Sequence, residues 1–452
     1  MSDQAYINEL IKRSRAAQES IAHYSQEQAN ALARAAGKAI YDNAEILSRE
    51  AADETRMGIY EHKIVKHHAV AVGWKSMRDG KSVGVIEDDP VKKIVTLAKP
   101  MGVIGSITPS TNPTFTPGIN AMMCLKGLNS LIVAPHPRAA ACTAHAISLM
   151  ADAIEKLGAP RDLLLSLEKP SIEMTNLLMS SVDVVIATGG AGMVKAAYSS
   201  GKPAYGVGQG NVQVVVAPDY KEFDVLAPTV IGDRIYDNGM PCSGEQMMFI
   251  PEANKKAILD AFAANGGFVA DKGMAQQFRD LVFKDGILNR DVVGKTAVQV
   301  AEMLGLKVPA TTQVLMIELD KFGEDEPLCR EIMFPFVRFM TYANFRQAVS
   351  MAKTNLLMEG AGHTAIIYSH NEGDIRYFAQ ELPVGRILVC QAGATTGGNY
   401  TNGLTPTSSI GCGSWGGNSI SENLSYRHLL NLTKISYAIP GATAPSYEDA
   451  WG

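Results

Sequence analysis

The sequence predicts an α/β protein built on parallel sheets, and three observations carry that prediction. From residue 101 onward, apolar runs of strand length alternate with helical stretches, the pattern of a parallel sheet covered on both faces. Glycine-rich turns follow several of those runs, and such sheets bind ligands beyond the carboxyl ends of their strands. The opening eighty residues instead carry helical spacing alone. At 452 residues, 46% hydrophobic and 19% charged, the chain suits about two to three domains with a substantial core.

Taken in order, Ile7, Leu10 and Ile11 begin the first apolar stripe. Ser25 and Gln28 match a capping box ahead of Ala29, Leu32, Ala36 and Ile40, which recur at helical spacing. Val83, Val85 and Ile86, the connection Glu87-Asp88-Asp89-Pro90, and Ile94 to Leu97 read as a β-hairpin over 82–98. Exposed strand edges invite pairing, so this hairpin suits an oligomerisation arm; an ordinary edge hairpin reads equally well. Strands are expected at 102–107, 130–134, 163–165 and 182–187, with helices at 115–126 and 138–157 among them. Thr188-Gly189-Gly190-Ala191-Gly192 lies between a strand and a helix, where glycines let a phosphate approach backbone N–H groups. Short of a full G-x-G-x-x-G, it serves equally as a tight turn. Gly206 to Asn211 leads into a strand at 212–216, and a second α/β segment runs to about residue 420.

A net charge of −5 argues against a nucleic-acid surface. The six cysteines (124, 142, 242, 329, 390 and 412) form no C-x-x-C pair and no Cys/His ligand spacing, so neither a disulfide framework nor a metal site is expected. Met1 leads into polar residues without a signal-peptide core, and no apolar run is long enough to span a bilayer. A cytoplasmic protein with reduced thiols is the expectation.

The chemistry is expected at Asn238-Gly239-Met240-Pro241-Cys242-Ser243-Gly244-Glu245-Gln246. Cys242 follows a Gly/Pro-broken turn and precedes the strand-like Met247 to Ile250. A thiol held at a turn beside free backbone N–H groups can be exposed and activated, as a nucleophile must be. A lone cysteine is equally a small buried hydrophobe.

Six stretches together resemble the CoA-acylating branch of the aldehyde dehydrogenase superfamily, over essentially the whole chain. They are Ile107 to Pro113, Ala134-Pro135-His136-Pro137-Arg138, Ala187-Thr188-Gly189-Gly190, Asp237-Asn238-Gly239 before Cys242, Glu359 to Thr364, and the long run Gly411 to Asn423. The resemblance implies a Rossmann-like cofactor domain (1–81 and 99–220), an α/β catalytic domain (221–420), and a β-hairpin arm and tail (82–98 and 430–452) joining subunits into a homodimer or a dimer of dimers. It implies that Cys242 is the nucleophile and that the Asn112 amide, with the Cys242 N–H, stabilises the oxyanion. His363 becomes a candidate base. Thr108, Pro109, His136, Arg138, Gly189, Gly190, Gly208 and Glu331 are then the cofactor-binding residues, with Glu331 on the nicotinamide ribose. Arg138, in place of an acidic ribose partner, suits the 2′-phosphate of NADP, and NAD remains open.

An absence decides the product. Hydrolytic relatives carry a general-base glutamate heading a Glu-Leu-Gly-Gly motif, where this chain has Gly206-Val207-Gly208-Gln209. Without a base for water, a Cys242 thioester awaits a better nucleophile, and a thiol such as CoA suits. Val194 to Pro203 and Pro445 to Gly452 look most like succinate-semialdehyde dehydrogenases that form succinyl-CoA. Departures fall around the expected tail pocket, at Met240-Pro241, Phe334 and Gly385. Sulfoacetaldehyde, acetaldehyde and butyraldehyde are the alternative substrates. A CoA-independent acyl-phosphate reductase and a non-catalytic nucleotide-binding protein are the alternative classes.

Overall fold

The computed structural model describes residues 2–452. Five helices open the chain, at Asp3–Ser20, Gln26–Asp42, Ala44–Thr55, Tyr60–His68 and Val70–Met77. The Ser25 capping box forms as expected, with the Gln28 side chain accepting from the Ser25 N–H at 2.8 Å.

Two parallel sheets follow. The first has five strands in the spatial order Leu164–Ser166, Ser130–Ala134, Val103–Ile107, Val184–Thr188, Ala204–Val207. Its central strand is buried at every position, which is why Val103 to Ile107 needs no polar alternation. The order reverses beside Val103–Ile107, so a crevice opens past the carboxyl ends of that strand and Val184–Thr188. The second sheet has seven parallel strands ordered Gly267–Val269, Val314–Glu318, Phe336–Tyr342, Glu245–Pro251, Val212–Val216, Gly362–Tyr368, Val384–Val389. Val212–Val216 sits near its middle, paired with Glu245–Pro251 and Gly362–Tyr368. The second sheet therefore starts before residue 221, where the sequence put the boundary. Only Gly208 to Asn211 separates the last strand of one sheet from a central strand of the other.

Gly84–Asp89 and Ile94–Pro100 form the expected hairpin, and Leu430–Ser436 adds antiparallel to the second strand. The turn lies at Pro90 to Lys93 rather than at Glu87 to Pro90, because Asp88 and Asp89 pair with Val95 and Ile94 despite their low strand propensity. The Asp89 carboxylate accepts from the Val91 and Lys92 N–H groups, fixing the turn there. This ribbon leaves Val85, Leu432, Ile435 and Tyr437 exposed. No helix among the described residues is long and apolar enough to cross a membrane.

Candidate active site

Helix Phe223–Ile235 ends in a turn whose Asp237, Asn238 and Gly239 all take left-handed backbone angles, with φ of 49°, 54° and 70°. Strain at two consecutive non-glycine residues persists only where the surroundings hold it. Here Asn238 Nδ2 donates to the Gly294 carbonyl at 2.9 Å, and Asp237 accepts from the Ile59 N–H at 2.8 Å. The turn throws Met240-Pro241-Cys242 across the junction between the sheets, before the chain re-enters as strand Glu245–Pro251.

The Gly208 to Asn211 link covers the cysteine. A Cβ on Gly210 would lie 1.8 Å from the Cys242 carbonyl oxygen, so only glycine permits this approach. Asn211 ties the link down, donating to the Cys329 and Glu359 carbonyls at 2.8 and 3.1 Å. Gln209 donates to the Glu359 carboxylate at 3.3 Å, and no carboxylate stands in the link itself. Gly206 has no room for one, because its Cβ would meet Val194 and Tyr198 at 2.7 and 2.8 Å.

Cys242 keeps partial exposure, but it is enclosed on most sides. Burial, then the charge of Glu331, then Cys412 push its thiol up to about 12, while its own N–H and Lys66 oppose the rise. The activated thiol expected from a turn is therefore not the resting state. The enclosing protein withholds the water that would solvate a thiolate.

Glu331 is buried, and burial together with Glu359 pushes its carboxyl up to about 8. Its Oε1 has no partner, while its N–H donates to Glu359 at 2.6 Å. Held protonated at neutral pH, it is a donor rather than a base for water. His363 opens strand Gly362–Tyr368, fully buried, with Nδ1 3.1 Å from Thr364 Oγ1 and Nε2 unpartnered. Burial, then Arg386, lower its pKa to about 3, so the imidazole is neutral at physiological pH and, as it rests, a weak proton acceptor. Arg386 spends its donors on the Gly362, His363, Gly411 and Ser421 carbonyls and on Asn423. Glu245 is no acid/base at the thiol: it opens the strand, fully buried, and accepts from the Gly393 N–H at 3.0 Å. Desolvation and the neighbouring Asp233 hold it well above the usual carboxylate range.

The other sequence candidates divide between two places. Thr108 and Pro109 follow the central strand of the first sheet, His136 and Arg138 follow Ser130–Ala134, and Gly189 and Gly190 follow Val184–Thr188. All six thus sit at the carboxyl edge around the crevice. The Thr108 and Thr188 hydroxyls are buried there without a partner, and a Cβ on Gly190 would meet nothing. That combination fits a dinucleotide, whose phosphates and ribose supply the missing acceptors. Exposed Arg138, with Arg290 from the second α/β segment, lowers the His136 pKa after burial has done so, placing three basic side chains together. Gly208 belongs instead with the link over Cys242, its Cβ position 3.8 Å from Cys412 Sγ.

Of the residues singled out for the aldehyde tail, Met240 and Phe334 are buried in the core, while Pro241 keeps partial exposure beside Cys242. Met240 is buried against Gly58 and Gly294, and Phe334 stacks on Phe336 with centroids 5.3 Å apart. Gly385 packs against the Ser421 carbonyl.

Sequence reading missed Lys63 and Lys66. Both lie on helix Tyr60–His68 and pair with Asp237, with Lys63 Nζ 3.4 Å from Oδ2 and Lys66 closer still. Lys66 also donates to Asn112 Oδ1 at 2.8 Å. The i, i+3, i+4 spacing of Lys63, Lys66 and His67 was the one available signal. Among the described residues no three His, Cys, Asp or Glu side chains group to hold a metal ion.

Comparison with known proteins agrees with this architecture. The model of the aldehyde dehydrogenase family matches residues 1–266. A succinate-semialdehyde dehydrogenase (acetylating) of Clostridium kluyveri is 46% identical, with 100% of each chain covered. A sulfoacetaldehyde dehydrogenase of an Acholeplasma species is 37% identical over 98% of this chain and 93% of its own. The crystal structure of an acetylating aldehyde dehydrogenase from Geobacillus thermoglucosidasius superposes with a TM-score of 0.94 at 31% identity, covering 98% of each chain. With two parallel sheets meeting over a cysteine turn, and similarity along its whole length, the chain belongs to the acylating aldehyde dehydrogenase family.

Proposed function

We propose that this enzyme interconverts an aldehyde, CoA and NADP or NAD with the acyl-CoA and reduced cofactor, through a thioester at Cys242. The observation that carries this reading is the pairing of Cys242 with a covering link that has no carboxylate, after a strand whose Gly206 has no space for one.

The minor thiolate form of Cys242, its proton released to solvent through its exposed side, adds to the aldehyde carbonyl, and the resulting alkoxide takes hydrogen bonds from the Cys242 N–H and the Asn112 amide. A nicotinamide bound in the crevice supplies the hydride acceptor. Loss of hydride leaves an acyl thioester on Cys242. Glu331, protonated and unpartnered at Oε1, would donate to the cofactor's ribose. CoA attacks the thioester carbonyl as its thiolate, the proton having gone to solvent, and Cys242 leaves as thiolate. Thr108, Pro109, Gly189 and Gly190 hold the dinucleotide, and the basic group at His136 and Arg138 receives a phosphate at its adenosine end. The ribbon and tail are read as the arm that builds a homodimer, since their apolar residues lie exposed.

Succinate semialdehyde is the substrate this reading favours, supported by the full-length likeness to the Clostridium kluyveri enzyme. Two measurements test the proposal. Aldehyde with NADP or NAD but no CoA should give at most one reduced cofactor per site and then stop; sustained release of free acid would refute the acylating reading. Comparing kcat/KM for succinate semialdehyde, sulfoacetaldehyde and butyraldehyde tests the substrate. A site that reads a carboxylate should penalise butyraldehyde by orders of magnitude, because its donors would be left unpaired.

A further inference from the structure

Three side chains on one face of helix Tyr60–His68 grip the loop that carries Asn112. Lys63 Nζ reaches the Thr111 carbonyl at 3.5 Å, Lys66 Nζ donates to Asn112 Oδ1 at 2.8 Å, and His67 Nε2 lies 2.7 Å from Thr114 Oγ1. The same helix holds the turn before Cys242, because Lys63 and Lys66 both pair with Asp237. Asp237 is fully buried, and its two lysines outweigh the burial that works against its carboxylate. The helix thus clamps together the nucleophile's turn and the Asn112 loop.

A carboxamide can present either its oxygen or its NH2 to a reacting atom, and only the NH2 stabilises an oxyanion. Lysine has donors and no acceptor, so its partner on Asn112 must be Oδ1, which turns Nδ2 away from the lysine. Asn112 Nδ2 has no partner among the described residues. Lys66 Nζ is thus shared between Asn112 Oδ1 and Asp237, with the Tyr236 ring centroid 5.4 Å away.

We propose that Lys66, anchored by Asp237, is a positioning residue that fixes the Asn112 carboxamide with its NH2 toward the oxyanion formed at Cys242. The two lysines against one aspartate also leave a net positive charge beside the thiol, which favours both thiolate and alkoxide. This assignment rests on Asn112 being an oxyanion donor, and the test separates the two claims.

The test is a double-mutant cycle on the full-length enzyme with Lys66→Met, Asn112→Ala and the combined variant, measuring kcat and KM for aldehyde, CoA and cofactor. Asn112→Ala should lower kcat by about 10²–10³-fold. Lys66→Met should lower kcat by at least tenfold with the KM for cofactor unchanged, and the combined variant should lose far less than the product of the two single losses. Iodoacetamide should also alkylate Cys242 several-fold more slowly in Lys66→Met, which a merely structural role would not produce. Multiplicative losses in the combined variant overturn the assignment, as does Lys66→Met at wild-type rates beside an impaired Asn112→Ala. Wild-type rates in Asn112→Ala instead remove the oxyanion reading itself. If Lys66→Met does not fold, Lys66→Gln/Asp237→Asn is compared with Lys66→Met/Asp237→Asn, neither of which buries an unpaired aspartate at 237. The first keeps a donor for Asn112 Oδ1 and should be at least tenfold faster; equal rates overturn the assignment.

Discussion

Gly210→Ala is the sharpest probe of the cover over the cysteine. The added Cβ would sit 1.8 Å from the Cys242 carbonyl oxygen, 2.8 Å from its carbonyl carbon and 3.2 Å from its Cβ. Two of the three neighbours are backbone, so no side chain can swing aside. Relief to ordinary contact at about 3.4 Å requires the link and the cysteine turn to part by about 1.6 Å. Displacing a reacting group by about 1 Å costs roughly 10²-fold in rate. CoA-dependent reduction of cofactor should therefore fall by about 10²-fold or more, close to 2.7 kcal/mol in the barrier. Gly232→Ala is the control: it lies in helix Phe223–Ile235, its Cβ would meet nothing, and it should keep full activity. The assay is absorbance of the reduced cofactor at saturating aldehyde and CoA, beside a thermal melt of each variant. A Gly210→Ala enzyme within threefold of wild type would refute the argument that the link is seated on Cys242.

Three further outcomes follow from the electrostatics. With its thiol pushed up to about 12, Cys242 in the cofactor-free enzyme should be alkylated by iodoacetamide about tenfold faster per pH unit from 7 to 9; a plateau below pH 8.5 contradicts this. The Glu331 carboxyl, raised to about 8 by burial and Glu359, favours the folded state only when protonated. Its contribution is complete below its unfolded pKa near 4.5 and lost as pH rises through about 8, so urea melts of wild type should weaken across that window by up to about 5 kcal/mol more than those of Glu331→Gln. Equal pH dependence in the two proteins would refute the assignment. Arg386→Met removes the donors that four backbone carbonyls and Asn423 share in a buried site, and chemical denaturation should show a loss of about 3 kcal/mol or more; a loss under 1 kcal/mol would mean water replaces the guanidinium there.

The sequence alone determined the α/β class, the helical first eighty residues, the hairpin and most strand positions, because these follow from short-range apolar periodicity and capping. Ser130 to Ala134 needs no tertiary information to be read as a buried strand. The resemblance likewise led to Cys242 and to the carboxylate-free link, since both are carried by local runs of residues. Tertiary structure decided what those residues experience. The Cys242 thiol is raised rather than activated because burial, and then the charges of Glu331 and Cys412, both distant in sequence, disfavour its thiolate. Met240 and Phe334 are buried in the core because of what they pack against, Met240 on Gly58 and Gly294, distant in sequence, and Phe334 on Phe336. The link joins two sheets because strand pairing, a long-range property, assigns Val212–Val216 to the second. Lys66 was invisible for the same reason. A lysine on a short helix reads as a solvated charge until folding brings Asp237, 171 residues away, and Asn112 to its ammonium group.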